Sequence, residues 1–359
     1  MGRYPELVID LKKLIHNIKY IKNICSKNNI EVAGVIKGAS GLYEIAKTFD
    51  LENLSFIASS RIEQLIPLKD KLKTPLMLIR IPGLSEVKDV IRYTDISLNS
   101  EIEVLKCLDQ EAKRQNKKHE VILMKDLGDL REGFFEEKDI IEAALFVENK
   151  LDNLILSGIG TNLGCYGSVC ATREKMEELV EITEKIEKEL GRKLKYISGG
   201  ATTSLPRLFD NDMPERINLL RIGEGILLAK DLKDLWGYNM DDMYQDVFTL
   251  KCEVIEVKDK PTYPVGEIFV DAFGNKCEYE DRGIRKRALL GIGKVDYVYL
   301  NDLVLKDKNI HLVGASSDHT IIDVEDKKDV KVGDIIEFNL SYSTMVYVTN
   351  SSNVRKTFI

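Results

Sequence analysis

The chain has 359 residues, 44% hydrophobic and 31% charged, an ordinary globular balance with room for one large domain and a smaller one. A formal charge of −7 argues against nucleic acid or an anionic membrane surface as the main partner, and no apolar run approaches the ~20 residues that cross a bilayer. The opening MGRYPELVID lacks a signal-peptide layout, the six scattered cysteines (Cys25, Cys107, Cys165, Cys170, Cys252, Cys277) form no C-x-x-C pair, and the four histidines show no ligand spacing, so a cytoplasmic protein with reduced thiols and no zinc site is expected.

Short β-branched runs come first, at residues 32–36, 54–58, 75–80, 94–98, 120–126, 153–159, 194–198 and 217–222. Helical patterns fill the gaps, such as SEIEVLKCLDQEAKRQ and TREKMEELVEITEKIEKEL, with Ser100 and Thr172 as expected N-caps. Eight strands alternating with helices predict a closed (β/α)8 TIM-type barrel over residues 1–230 rather than an open sheet. After Asp231 the pattern turns to long alternating runs, among them VFTLKCEVIEVKD, RALLGIGKVDYVYL, IHLVGASSDHTIIDVED and DIIEFNLSYSTMVYVTN. Turn signals separate them, which predicts a C-terminal all-β domain over 231–359 without convincing helices.

In such a barrel the C-terminal strand ends face the active site. The first strand ends in Lys37; the fifth leads into KDLGDLREGF with Arg131; the sixth ends in SGIGTNLGCYG, the seventh in SGGATTSLP; the eighth carries Arg221 and runs into IGEGIL. The last two offer hydroxyls and unhindered backbone amides at helix starts, a pattern that binds phosphate. An amine on the first strand facing a phosphate across the mouth points to pyridoxal 5'-phosphate, whose aldehyde needs a lysine and whose phosphate needs an anchor.

The stretches AGVIKG, KDLGDLREG, GIGTNLGCYG, SGGATTSLP, LLRIGEGIL and LVGASSDHTIIDV, in this order, resemble the fold-type III pyridoxal-phosphate enzymes of the alanine racemase class, and within it the ornithine racemase group. The resemblance covers nearly the whole chain. It implies that Lys37 is the Schiff-base lysine and one catalytic base, and that Tyr43 is a phosphate-binding tyrosine. It gives Arg131 the cofactor hydroxyl and the substrate carboxylate. Asn162 stands where alanine racemases pack a histidine on the ring. Thr202, Thr203 and Ser204, with the amides of Gly223 and Glu224, correspond to the phosphate loop, and Arg221 to the arginine opposite the pyridine nitrogen.

Racemisation needs a base on each face of Cα. Where alanine racemases place a tyrosine from the partner subunit, GIGKVDY places Lys294, with Tyr297 and His319 as alternatives. The resemblance therefore implies a homodimer with shared active sites. The expected reaction is interconversion of L- and D-ornithine. Its side-chain ammonium requires oxygen partners when desolvated, for which Ser317, Asp318 and Asp296 are the candidates. Other readings are a racemase for alanine, lysine or serine, a fold-type III aldolase or dehydratase, a decarboxylase of the same architecture, and a non-catalytic cofactor-binding protein. The missing H-x-C motif weighs against the metal-dependent members, and the β domain against the binding protein.

Overall fold

A computed structural model describes residues 2–359. It divides the chain into two compact units: Leu14–Tyr244, and Gln245–Ile359 together with the segment ending at Lys13. The division therefore falls differently from the expected boundary at 230/231. Strand β1 (Glu6–Ile9) belongs with the second unit, because it pairs antiparallel with β10 (Phe248–Pro261) and parallel with β16 (Arg355–Phe358).

The first unit is a closed parallel barrel of eight strands: β2 (Glu31–Val35), β3 (Phe56–Ser59), β4 (Leu76–Leu78), β5 (Ile96–Asn99), β6 (His119–Met124), β7 (Leu154–Gly160), β8 (Tyr196–Ser198) and β9 (Leu219–Ile222). Each overlaps one of the eight predicted runs. The barrel closes where β2 meets β9, with Ala33 opposite Arg221 and Gly34 opposite Ile222. Alternation along the strands decides what fills the interior. Ala33, Val35, Ala58, Met77, Ile122 and Leu219 belong to one buried cluster. Arg221 shares the odd-numbered face of Leu219 within β9, and Lys37 lies two residues past the C-terminal end of β2, so both stand at the C-terminal mouth of the barrel.

The helices between strands follow the predicted pattern. Thr172 caps the helix Arg173–Leu190, its side chain accepting from Lys175 N at 3.4 Å. Ser100 does not cap the helix Ile102–Arg114. Glu101 stands at the N-cap in extended conformation, with no side-chain cap bond, because the chain stays extended one residue beyond the serine.

In the second unit the sheet order is β12 (Leu303–Leu305), β15 (Ile335–Leu340), β10, β11 (Ile284–Leu290), β14 (Thr320–Asp323), β13 (His311–Ala315). Strand β10 is long enough to pair with β15 along its first half and β11 along its second. The unit is not wholly β. The run ending in SYSTMVYVTN leaves β15 and forms a helix over Tyr342–Asn350. Ser341 and Thr344 bond reciprocally to each other's backbone N–H, a capping box that starts a helix despite the β-branched residues after it. Among the described residues, no helix is long and apolar enough to cross a membrane, and no group of three His, Cys, Asp or Glu is arranged to hold a metal.

Candidate active site

Lys37 opens a short 3₁₀ turn directly after β2. Its amine is held below its ordinary value first by burial, and further by the charges of Arg131 and Arg221; Cys165 and Glu132 act in the opposite sense. These five groups, drawn from the ends of three strands and from β9, therefore converge on one volume at the barrel mouth. A lysine of lowered pKa carries a larger neutral fraction, the form that attacks a carbonyl carbon.

Arg221 is 4% exposed. Its Nη1 donates to Ser198 Oγ, and its Nη2 donates to the Thr161 carbonyl at 2.8 Å and lies 3.5 Å from Asn162 Oδ1. All three acceptors are neutral, and no carboxylate among the described residues forms an ion pair with it. Burial accordingly lowers its pKa to about 10. An isolated buried cation is costly, so this arrangement is a feature of the site rather than of the core's stability.

Arg131 lies in the loop after β6, paired with its neighbour Glu132; Nη2 reaches Glu132 Oε1 at 2.5 Å. That bond is the first cause of the rise in its pKa, so the guanidinium stays charged. Asn162 follows β7. Its amide nitrogen lies 3.0 Å from Cys165 Sγ, while its oxygen faces Arg221.

The two predicted phosphate loops lie against each other. Thr202 Oγ1 accepts from Gly225 N at 3.1 Å, so the turn after β8 and the helix start after β9 share a seam. Thr203 Oγ1 donates to the Leu163 carbonyl at 2.8 Å, joining this seam to the loop after β7, and Ser204 Oγ donates to the Gly199 carbonyl at 2.6 Å. The side chains brace the loops from within, and the first amides of Thr202–Ser204 and Glu224–Leu227 have no acceptor within their own turns. The Glu224 carboxyl turns the other way: Oε1 accepts from Lys230 N at 2.9 Å and Asp231 N at 3.0 Å, and Oε2 is buried without a partner. Burial, then the nearby Asp231 charge, pushes its pKa up to about 7. Tyr43 begins the helix Tyr43–Leu51, with its ring 5.6 Å from the Lys71 ammonium, and no hydrogen bond ties it to the Lys37 group among the described residues.

Three contributors were not singled out from the sequence: Glu132, Cys165 and Asp129. The Asp129 carboxylate accepts from the amides of Gly164, Cys165, Tyr166 and Val169 at 3.0 to 3.4 Å, fixing the loop that carries Asn162 and Cys165. Burial works against its charge, but those amides outweigh it and hold the carboxyl below the usual range. All three lie inside stretches quoted for their neighbours, and only the loop-to-loop contacts reveal what they do.

The remaining predicted residues belong to the second unit. Lys294 begins a single helical turn, Lys294–Tyr297. Its ammonium lies 3.5 Å from Asp271 Oδ2 and 4.6 Å from the centre of the Phe273 ring. Tyr297 is fully buried, its hydroxyl 2.7 Å from Thr320 Oγ1, and burial pushes its pKa up to about 12. His319 is exposed on the β13–β14 turn. Asp296 is buried and committed within its own unit, Oδ1 accepting from Ser351 Oγ at 2.6 Å and Asn353 Nδ2 at 3.1 Å. Asp318 is exposed and accepts from Ser317 Oγ at 2.7 Å.

Residues 9–231 match the family model described as "Alanine racemase, N-terminal domain". Over 354 residues, 98% of this chain and 99% of the relative, the chain is 44% identical to a protein of Acetoanaerobium sticklandii named ornithine racemase. It is 38% identical to a protein of Thermotoga maritima named lysine racemase, over 99% of this chain and 98% of that one. Among solved structures it is similar in fold to an alanine racemase of Clostridium difficile 630 (TM-score 0.75, 21% identity, 100% of this chain and 97% of that chain). A second such fold is the alanine racemase of Streptomyces lavendulae (TM-score 0.79, 14% identity, 100% and 98%).

Proposed function

The chain belongs to the alanine racemase family, and on that premise we propose that it is a pyridoxal 5'-phosphate-dependent racemase interconverting L- and D-ornithine. The observation that carries this reading is the pairing, at one barrel mouth, of a Lys37 amine with lowered pKa and a buried Arg221 guanidinium that has only neutral partners. The donor set fits the cofactor: an amine for its aldehyde, two abutting helix starts for its phosphate, and a cation left without a carboxylate for its ring nitrogen.

When bound, the cofactor supplies an aldehyde for the substrate amine and a conjugated ring that takes up the electron pair left at Cα. Lys37 then removes or returns the Cα proton on one face. Arg131 orients the substrate carboxylate, for which a guanidinium offers two parallel donors. Arg221 has donors and no acceptor, so it cannot receive a proton from the ring nitrogen or hold one on it. By withholding a proton from that position, Arg221 would weaken the electron withdrawal the ring supplies and so would favour return of the proton to Cα over transamination. Asn162 offers an amide, not a histidine ring, beside Arg221. The second base in this reading is Lys294 from the β unit of a second copy of the chain, because it holds the motif position of the partner-subunit tyrosine, whereas the Tyr297 hydroxyl is buried against Thr320 and His319 lies outside that motif. Ser317 and Asp318 are the substrate-ammonium partners, since Asp296 is already bonded to Ser351 and Asn353.

Support for a diamino acid comes from the two full-length relatives, whose names both specify one. The test is incubation of the purified, cofactor-loaded protein with L-ornithine, L-lysine, L-alanine or L-serine, following optical rotation. Loss of rotation fastest with L-ornithine is expected. Racemisation of none of the four, or release of ammonia or aldehyde instead, contradicts the proposal.

A further inference from the structure

We propose that Asp271 is a positioning residue for Lys294, its carboxylate fixing the place of the ammonium, with the Phe273 ring packed against the same group. This rests on the catalytic role given to Lys294 above.

The turn around Asp271 is built so that its two oxygens do different work. Oδ1 accepts from Phe273 N and Asn275 N, both at 2.8 Å, and the Asp271 amide donates to the Asn275 carbonyl at 2.9 Å. Gly274 completes the turn at φ +80, a conformation glycine adopts without strain. Oδ1 is thereby spent on the loop. Oδ2, steadied by Asn275 Nδ2 at 3.2 Å, faces Lys294 Nζ at 3.5 Å. The same turn sets the Phe273 ring 4.6 Å from the ammonium, within range of a cation–π contact.

Lys294 is fixed from its other side as well. Its amide donates to the Ser316 carbonyl at 2.9 Å, and Val295 N to the Ser317 carbonyl at 3.1 Å. A Cβ on Gly293 would lie 2.1 Å from the Ser317 carbonyl oxygen, so only glycine permits this approach. The anion also persists over a wide pH range: the Asn275 amide comes first in holding the Asp271 carboxyl at about 2, and Lys294 adds to the effect. The other ionisable groups nearby are Cys277 and Tyr279 on the Asp271 loop, Asp296 two residues after the lysine, and Asp318 on the β13–β14 turn whose Ser316 and Ser317 carbonyls accept from Lys294 N and Val295 N. Asp296 is turned to Ser351 and Asn353, and Asp318 to Ser317. Among the described residues, Asp271 is the one carboxylate within ion-pair distance of Lys294.

Asp271→Asn is a clean variant, because asparagine keeps the Oδ1 acceptor the turn needs and removes the charge facing Lys294. The variant should lower the kcat of racemisation roughly three- to ten-fold at unchanged KM for ornithine, a half-buried pair being weaker than a desolvated one. Exchange of the Cα hydrogen with solvent deuterium should slow for the enantiomer served by Lys294 and persist for the one served by Lys37. Asp271→Glu should restore part of the loss. Phe273→Leu, which leaves the turn intact, should slow the same exchange by less. If Lys294→Met retains full turnover, the catalytic reading fails and this inference with it. If Lys294→Met is inactive while Asp271→Asn leaves kcat and both exchange rates unmoved, the inference alone is overturned. A raised KM for ornithine with unmoved kcat likewise overturns it, marking Asp271 as a substrate contact.

Discussion

At the scale of single residues, the site is organised by charges held where water cannot screen them. Arg221 and Lys37 show this at the ligand-facing side, and Glu224 shows it behind the phosphate seam. Its carboxyl titrates at about 7 in the folded chain against an ordinary 4.5. The folded state therefore binds the proton more tightly, and stability falls as pH rises from about 4.5 through about 7. The loss approaches about 3 kcal/mol at most once the group is ionised. Glu224→Gln keeps the acceptor used by Lys230 N and Asp231 N and removes the titration. Denaturant unfolding of the cofactor-free protein should then show the variant gaining on the wild type between about pH 5 and about pH 8. A constant difference across that range would show that Glu224 does not titrate there. The sequence alone made Lys37 and Arg221 legible, because each falls at the C-terminal end of a predicted strand and inside a stretch that resembles the family. It did not single out Glu132, Cys165 or Asp129, whose parts are set by loops meeting across the mouth.

At the scale of elements, the eight barrel strands were readable because each is a β-branched run bounded by helical patterns. Strand β1 was not. Four residues carry no useful periodicity, and its partners Phe248–Lys251 and Arg355–Phe358 lie at the far end of the chain. The helix Tyr342–Asn350 was hidden for a different reason. Its Val and Tyr residues alternate like a strand, and the decision rests on the Ser341–Thr344 capping box. Ser341→Ala should therefore cost about 1 kcal/mol of stability, the usual worth of an N-cap, measured as a lower midpoint with an unchanged denaturant slope. A change below a few tenths would mean that packing alone, through Met345 and Val348, holds the helix.

At the scale of the whole molecule, the family and the two-unit layout follow from the order of motifs, whereas the shared site does not follow from any one chain. Lys37 belongs to the barrel unit and Lys294 to the β unit. The proposal brings them together from different copies, as two-fold symmetry allows. The most direct test mixes two variants, Lys37→Ala and Lys294→Ala, each expected to be inactive as a homodimer. After unfolding and refolding together in equal amounts, half the dimers should be mixed, and each of these carries one intact site. Activity should then return to about a quarter of the wild-type value. If the refolded mixture stays as inactive as either variant alone while wild-type protein regains activity under the same treatment, the claim that one racemase site draws its two bases from two chains is contradicted.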